Sequence, residues 1–231
     1  MFPFFDPTMV LLIPAILLAF YAQMKVQSTY QRFSRVLSRS RLTAAEVARG
    51  LIREHGLDVH VERVQGELTD HYDPRQKVLR LSSPVHDSSS LAALGIAAHE
   101  VGHAVQHHVG YAALGIRNSL VPVANLGSSL SFPILIVGLL LSSPMLVKAG
   151  VYAFSAVVLF QLITLPVEFN ASSRAIALLT DGGYIAPEEV GPARAVLNAA
   201  ALTYVAAALM AVLNLLRLLV LSGLLRGGDD S

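Results

Sequence analysis

NSLVPVANLGSSLSFPILIVGLLLSSPMLV, residues 118–147, runs for 30 positions without an Asp, Glu, Lys or Arg. A helix crosses a hydrocarbon core of about 30 Å with roughly 20 mostly apolar residues. This stretch therefore holds one crossing and the turn into a second. Working outward, residues 149–167 add 19 uncharged positions after Lys148, residues 195–216 add 22, and residues 8–24 add 17. Four spans are expected, at 7–24, 120–141, 146–166 and 197–221. Pro14 and Pro133 fall inside two of them, where membrane helices tolerate proline better than soluble ones do. Charge is correspondingly scarce, at 14% of 231 residues against about 25% in a soluble domain. The fold class is thus mainly α and integral to a membrane. Positive charges follow the first span rather than precede it, which is the wrong polarity for a secretory signal and marks a permanent anchor.

Composition removes several function classes. Lys plus Arg total 17 and Asp plus Glu 16, so the basic excess that neutralises phosphates is missing and no nucleic-acid partner is expected. Cysteine is absent, which excludes disulfides, thiolate metal sites and a cysteine nucleophile. The interiors of the spans carry one ionisable residue, Arg217, able to snorkel from near a helix end, so a channel or carrier is a poor reading.

The polar part runs over residues 25–117. It opens with KVQSTYQRFSRVLSRSR at 25–41, five cations and no acid, and this asymmetry places it on the cytoplasmic side with both termini outside. Thr43 and Glu46 form the pattern of a capping box opening a helix that ends before Gly56. Residues 57–64 alternate as a strand, and GELTDHYDPRQKVLRLS at 66–82 reads as two strands around Asp73-Pro74-Arg75. The second of these, residues 77–82, is a candidate edge for pairing with an extended substrate. A further helix is expected over 91–108, capped by one of Ser88, Ser89 and Ser90 and ended by Gly110.

That helix contains His99-Glu100-Val101-Gly102-His103. Residues four apart share a helix face, so both imidazoles can reach one metal ion, with Glu100 placed beside them to address a bound water. This is the H-E-x-x-H pattern of zinc metalloproteases. A catalytic zinc takes three protein ligands and keeps one open position. His107, a further turn along a straight helix, is too far from His99 to complete the set. Two spans separate His103 from the next polar stretch, which returns to the same side and carries Glu168 at the end of an apolar run. A carboxylate there is costly without a partner, and a metal is such a partner. Arg174 is the other candidate partner, and Arg174, His71 and Tyr72 are candidates for stabilising an oxyanion.

AAHEVGHAVQH, followed by a membrane hairpin and then PVEFNASSRA, resembles the bacterial YugP-type membrane zinc metallopeptidases. The likeness extends over nearly the whole chain, through GELTDHYDPRQKVLRLS to AALTYVAA in the last span. It implies a gluzincin-type peptidase: one zinc per chain on His99, His103 and Glu168, with Glu100 as general base. It also implies a small zincin-like α+β part with a short β-sheet, and a Glu-bearing helix and loop over 167–196, within a single domain over 1–231. Two positions depart from the expected pattern, since Asn170 and Ser172 stand where an Asp that supports a ligand imidazole is anticipated. Expected partners are the lipid bilayer, a peptide or membrane-protein substrate, and an unknown membrane partner or a second copy of the chain. The expected location is the cell membrane, multi-pass, with the active site on the cytoplasmic side.

Two rival readings remain open on sequence alone. A site-2-type intramembrane protease would recruit Asp181 from LTDGG at 179–183, and a non-catalytic membrane adaptor would carry zinc without using Glu100. The topology has a direct check. Reporter fusions after Arg41 and at the C-terminus are expected to report opposite sides of the membrane, and same-side signals would overturn the four-span arrangement.

Overall fold

The computed structural model describes residues 7–67 and 69–223. A 3-10 turn, Pro7–Leu12, leads into α1 (Ile13–Phe33). There follow α2 (Ala44–Glu54), β1 (His60–Val64), β2 (His71–Asp73), β3 (Val78–Ser82), α3 (Ser83–His86) and α4 (Leu91–His108). Three long elements complete the chain: α5 (Ala112–Leu140), α6 (Pro144–Asp181) and, after a 3-10 turn at Pro187–Glu189, α7 (Val190–Leu221). Among the described residues, four helical stretches are long and apolar enough to cross a membrane: Pro7–Phe33, Ala112–Leu140, Pro144–Asp181 and Pro187–Leu221. The described residues group into two compact units, one drawn from within 1–21, 116–165 and 203–231, the other from within 22–115 and 166–202.

The first unit is helical. Leu135, Val147, Val151, Phe154, Val158, Ala211 and Leu218 form its core. Between helices in lipid there is little hydrophobic drive, so close packing of small residues supplies the attraction. Gly127 illustrates this, since a Cβ there would lie 2.4 Å from the Ala153 carbonyl oxygen. Leu126, Leu139, Met145 and Tyr152 point outward and exposed, as side chains facing acyl chains would. Arg217 is held within this unit, where its Nε donates to Thr8 Oγ1 at 3.3 Å.

The second unit packs α2, α3, α4 and the sheet around Leu51, Leu79, Leu81, Val85, Leu94 and Val101. The capping box is present: the Glu46 N–H donates to Thr43 Oγ1, and the Thr43 N–H donates to Glu46 Oε2 at 2.7 Å. β1 starts at His60 rather than residue 57, because Leu57 instead closes the end of α2 through its N–H to the Ile52 carbonyl. Strand order is β1-β3-β2, with β1 parallel and β2 antiparallel to β3. β3 is therefore the central strand, and the expectation that residues 77–82 offer a free edge is corrected. Val78, Leu79, Leu81 and Ser82 are all buried, as befits a strand covered on both faces and paired on both sides.

Ser90 is the residue that caps α4, accepting from the Ala93 N–H at 3.2 Å. Gly110 ends the helix region at φ +63°, a left-handed conformation that glycine adopts without steric cost. The Glu168-bearing segment is continuous with the span before it. α6 runs unbroken through Pro166, although that proline removes one backbone donor. α4 and α6 come together at Gly102, where a Cβ would sit 2.7 Å from the Ala171 carbonyl oxygen. Glycine is required there by space rather than by backbone conformation. Gly102→Ala is expected to push α4 from α6 and destabilise the fold by about 1–3 kcal/mol, the usual cost of overpacking, measurable as a lower thermal midpoint in matched detergent.

Candidate metal centre

The close approach at Gly102 brings three side chains to one point. His99 and His103 project from successive turns of α4, and Glu168 faces them from α6. His99 Nε2 lies 3.2 Å and His103 Nε2 3.6 Å from Glu168 Oε2. The imidazole rings stand nearly perpendicular, at 86° with centroids 4.7 Å apart. Donors at about 2.0–2.1 Å from a tetrahedral zinc lie roughly 3.4 Å from one another. The three ligand atoms, all within 4.8 Å of each other, fit that requirement.

What lies behind the imidazoles decides which nitrogen faces the centre. Gln106 is wholly buried at 0% exposure. Its amide NH2 donates to the Val167 carbonyl at 2.8 Å and to Asn170 Oδ1 at 3.0 Å. With both donors used, Gln106 Oε1 is the acceptor toward His103 Nδ1, 2.9 Å away. His103 therefore carries its proton on Nδ1 and presents the Nε2 lone pair to Glu168. His99 Nδ1 is 3.2 Å from Ser172 Oγ, and the same tautomer follows when that hydroxyl accepts. Two lone pairs facing a carboxylate repel unless a cation or a proton sits among them. Burial disfavours a charged His103, but the Glu168 hydrogen bond and the Glu100 charge outweigh it and raise its pKa above the ordinary histidine value.

Glu168 is 2% exposed, and the carboxylate is turned to the histidines rather than to Arg174, whose Nε donates to Asn170 Oδ1 at 2.8 Å. Asn170 thus joins Arg174 and Gln106, and Ser172 supports His99. Glu100, half-buried, is close enough for its charge to act on His103. His107 is exposed and lies apart from the group of three. Its Nδ1 meets Tyr72 OH at 2.9 Å, which ties β2 to α4. Burial, with the Asp73 and Asp58 charges, pushes the Tyr72 phenol above its ordinary pKa, keeping its proton available at neutral pH. His71 is turned to the Thr69 carbonyl, 2.8 Å away.

Asp181 ends α6, roughly 20 Å along the helix axis from Glu168 at 1.5 Å rise per residue. It lines an open groove of about 460 Å³ with Ser172, Ile176, Arg194 and Asn198 and cannot complete the same centre. The site-2-type assignment is thereby lost. Gln106 was not recognisable as a site residue from the motif alone. The available signal was an amide three residues past His103, on the same helix face as His99 and His103.

A buried carboxylate between two histidines of an H-E-x-x-H helix is a donor set suited to a metal ion, and it occurs in a chain whose described residues include four helices of membrane-spanning length. The chain belongs to the family described as "Putative neutral zinc metallopeptidase", which matches residues 8–223. It is 48% identical over 222 residues to the Bacillus subtilis (strain 168) protein named "Putative membrane protease YugP", covering 96% of this chain and 98% of that one. No solved structure matches it significantly.

Gln106→Leu keeps the volume but leaves the Val167 carbonyl, Asn170 and His103 Nδ1 without this partner. An unsatisfied buried polar group costs about 1–3 kcal/mol. A loss of that order is expected in denaturant unfolding of the metal-free protein in detergent.

Proposed function

We propose that the protein is a membrane-embedded zinc-dependent endopeptidase, with the metal held by His99, His103 and Glu168. The observation that carries this reading is the convergence of two imidazole Nε2 atoms on a buried carboxylate at 3.2 and 3.6 Å. Zinc, when bound, supplies a Lewis acid and lowers the pKa of its water to about 7. Glu100 accepts the proton of the attacking water and delivers it to the nitrogen of the leaving amine. This is general base followed by general acid at one carboxylate. Gln106 and Ser172 hold the two imidazoles in the ligating tautomer. Arg174, whose Nε donates to Asn170, and Tyr72, whose hydroxyl meets His107, are the candidates for donating to a developing oxyanion. Since β3 is central, an extended substrate backbone pairs along the outer side of β2.

The substrate is a peptide segment of a protein at or in the bilayer. A 38-residue α6 extends about 57 Å at 1.5 Å per residue, well beyond a hydrocarbon core of about 30 Å. With its apolar residues 146–166 in the membrane, Glu168 falls at the boundary. The basic stretch at 25–41 argues for the cytoplasmic face of the cell membrane.

Metal analysis tests the ligand set. One zinc per chain is expected, lost in His103→Ala and kept in His107→Ala; loss in the His107 variant would overturn the assignment. Glu100→Gln separates chemistry from binding. It keeps zinc but cannot accept a proton, so turnover is expected to fall by about 10²–10⁴-fold with little change in KM. Retention of more than about a tenth of wild-type turnover would refute Glu100 as the base.

A further inference from the structure

Residues 25–41 carry Lys25, Arg32, Arg35, Arg39 and Arg41, all exposed. Arg39 is spent on the fold: its N–H donates to the buried Glu189 at 2.8 Å and its guanidinium pairs with Glu188. Among the described residues no acidic side chain forms an ion pair with Lys25, Arg32, Arg35 or Arg41. Asp70 and Glu67 lie close enough for their charges to act on Tyr30, and Asp70 is engaged by the Ser82 N–H and hydroxyl. Arg41 adopts φ 57°, a conformation that glycine would occupy at lower cost, yet a cation is kept there. Val36, Leu37 and Leu42 lie exposed between these arginines.

The loop that follows α1 is not loose. The Leu91 N–H donates to the Val36 carbonyl at 2.9 Å, and the Ser38 N–H to the Ser89 carbonyl at 2.8 Å. Leu37 forms an antiparallel bridge with Ser90, the residue that caps α4. The Ala44 N–H donates to the Ser88 carbonyl at 2.8 Å. The basic loop is thus bonded directly to the turn that starts the helix bearing His99 and His103.

We propose that residues 25–41 form a fixed surface for the headgroups of anionic phospholipid, and that lipid bound there steadies the N-terminal end of α4. Three features favour lipid as the occupant. The surface continues from a helix long enough to cross a membrane. The uncharged part of that helix ends at Met24, so Lys25 marks the start of the interface. From Lys25 to Phe33 the helix rises only about 12 Å, a distance comparable with a Debye length plus the reach of an arginine. Each such cation near an anionic leaflet is worth about fivefold in affinity. This inference rests on the membrane reading of α1 and is independent of catalysis.

The test is amide hydrogen exchange on the full-length protein in two nanodisc preparations, phosphatidylcholine alone and phosphatidylcholine with phosphatidylglycerol. Exchange over residues 36–44 and 88–94 is expected to slow by about fivefold or more in the anionic bilayer. The protection should disappear at high salt and in an Arg32→Gln, Arg35→Gln, Arg41→Gln variant. Wild-type protein compared across bilayers and salt keeps the test decisive if that variant fails to fold. Equal exchange in both bilayers overturns the proposal and leaves the surface to a protein partner. Equal protection by inorganic phosphate in the neutral bilayer also overturns it, as would protection that persists in the folded triple variant.

Discussion

The carboxylate of Glu168, buried between two imidazoles, is the constraint around which the second unit is arranged. A carboxylate taken out of water loses several kcal/mol of solvation in practice, and the fold must return that through partners. His99 and His103 supply them from α4 at 3.2 and 3.6 Å. Those distances are available only because α4 and α6 touch at backbone level, and the touch exists only because residue 102 has no side chain. Ala98, Ala171 and Ala175, all fully buried, line the same seam. The small residues that let the helices approach also place the donors.

The motif's first half was legible because it is local. Helix periodicity alone puts His99 and His103 on one face, and the Thr43 cap is readable from Glu46 three residues on. The cap of α4 is narrowed only to Ser88, Ser89 or Ser90. The membrane helices were legible for the same reason, since absence of charge over 17 to 30 positions is a property of a continuous stretch. Glu168 came from counting crossings, a topological argument that needed no atomic detail. Sheet order was not accessible in this way. A hairpin reading of residues 66–82 gives the β2–β3 pairing, but the parallel register of His60 with Val78 joins two strands that β2 and its turns separate along the chain. In retrospect the VLRLS pattern, apolar at three of five positions, belongs better to a central strand than to an edge.

Gln106 shows a different limit. Its meaning lies in three acceptors and donors contributed by two helices, namely His103, the Val167 carbonyl and Asn170. Nothing in a one-dimensional pattern separates such a residue from an ordinary polar position at the end of a helix. The same holds for Asn170. Read along the chain it is a departure from an expected carboxylate; in space it is the junction where Arg174 and Gln106 both donate.

The neutral groups behind the imidazoles have an electrostatic consequence. An Asp behind each histidine would raise ligand basicity, but each would also add a buried charge to a region already holding Glu168. Gln106 and Ser172 fix ring orientation through hydrogen bonds of 2.9 and 3.2 Å without that charge. With two neutral histidines and one carboxylate as ligands, a divalent cation held there would retain a net positive charge of one. In a buried surrounding, additional ionised groups are costly. Amide and hydroxyl support therefore orients the two imidazoles at a smaller desolvation cost than additional buried carboxylates would carry.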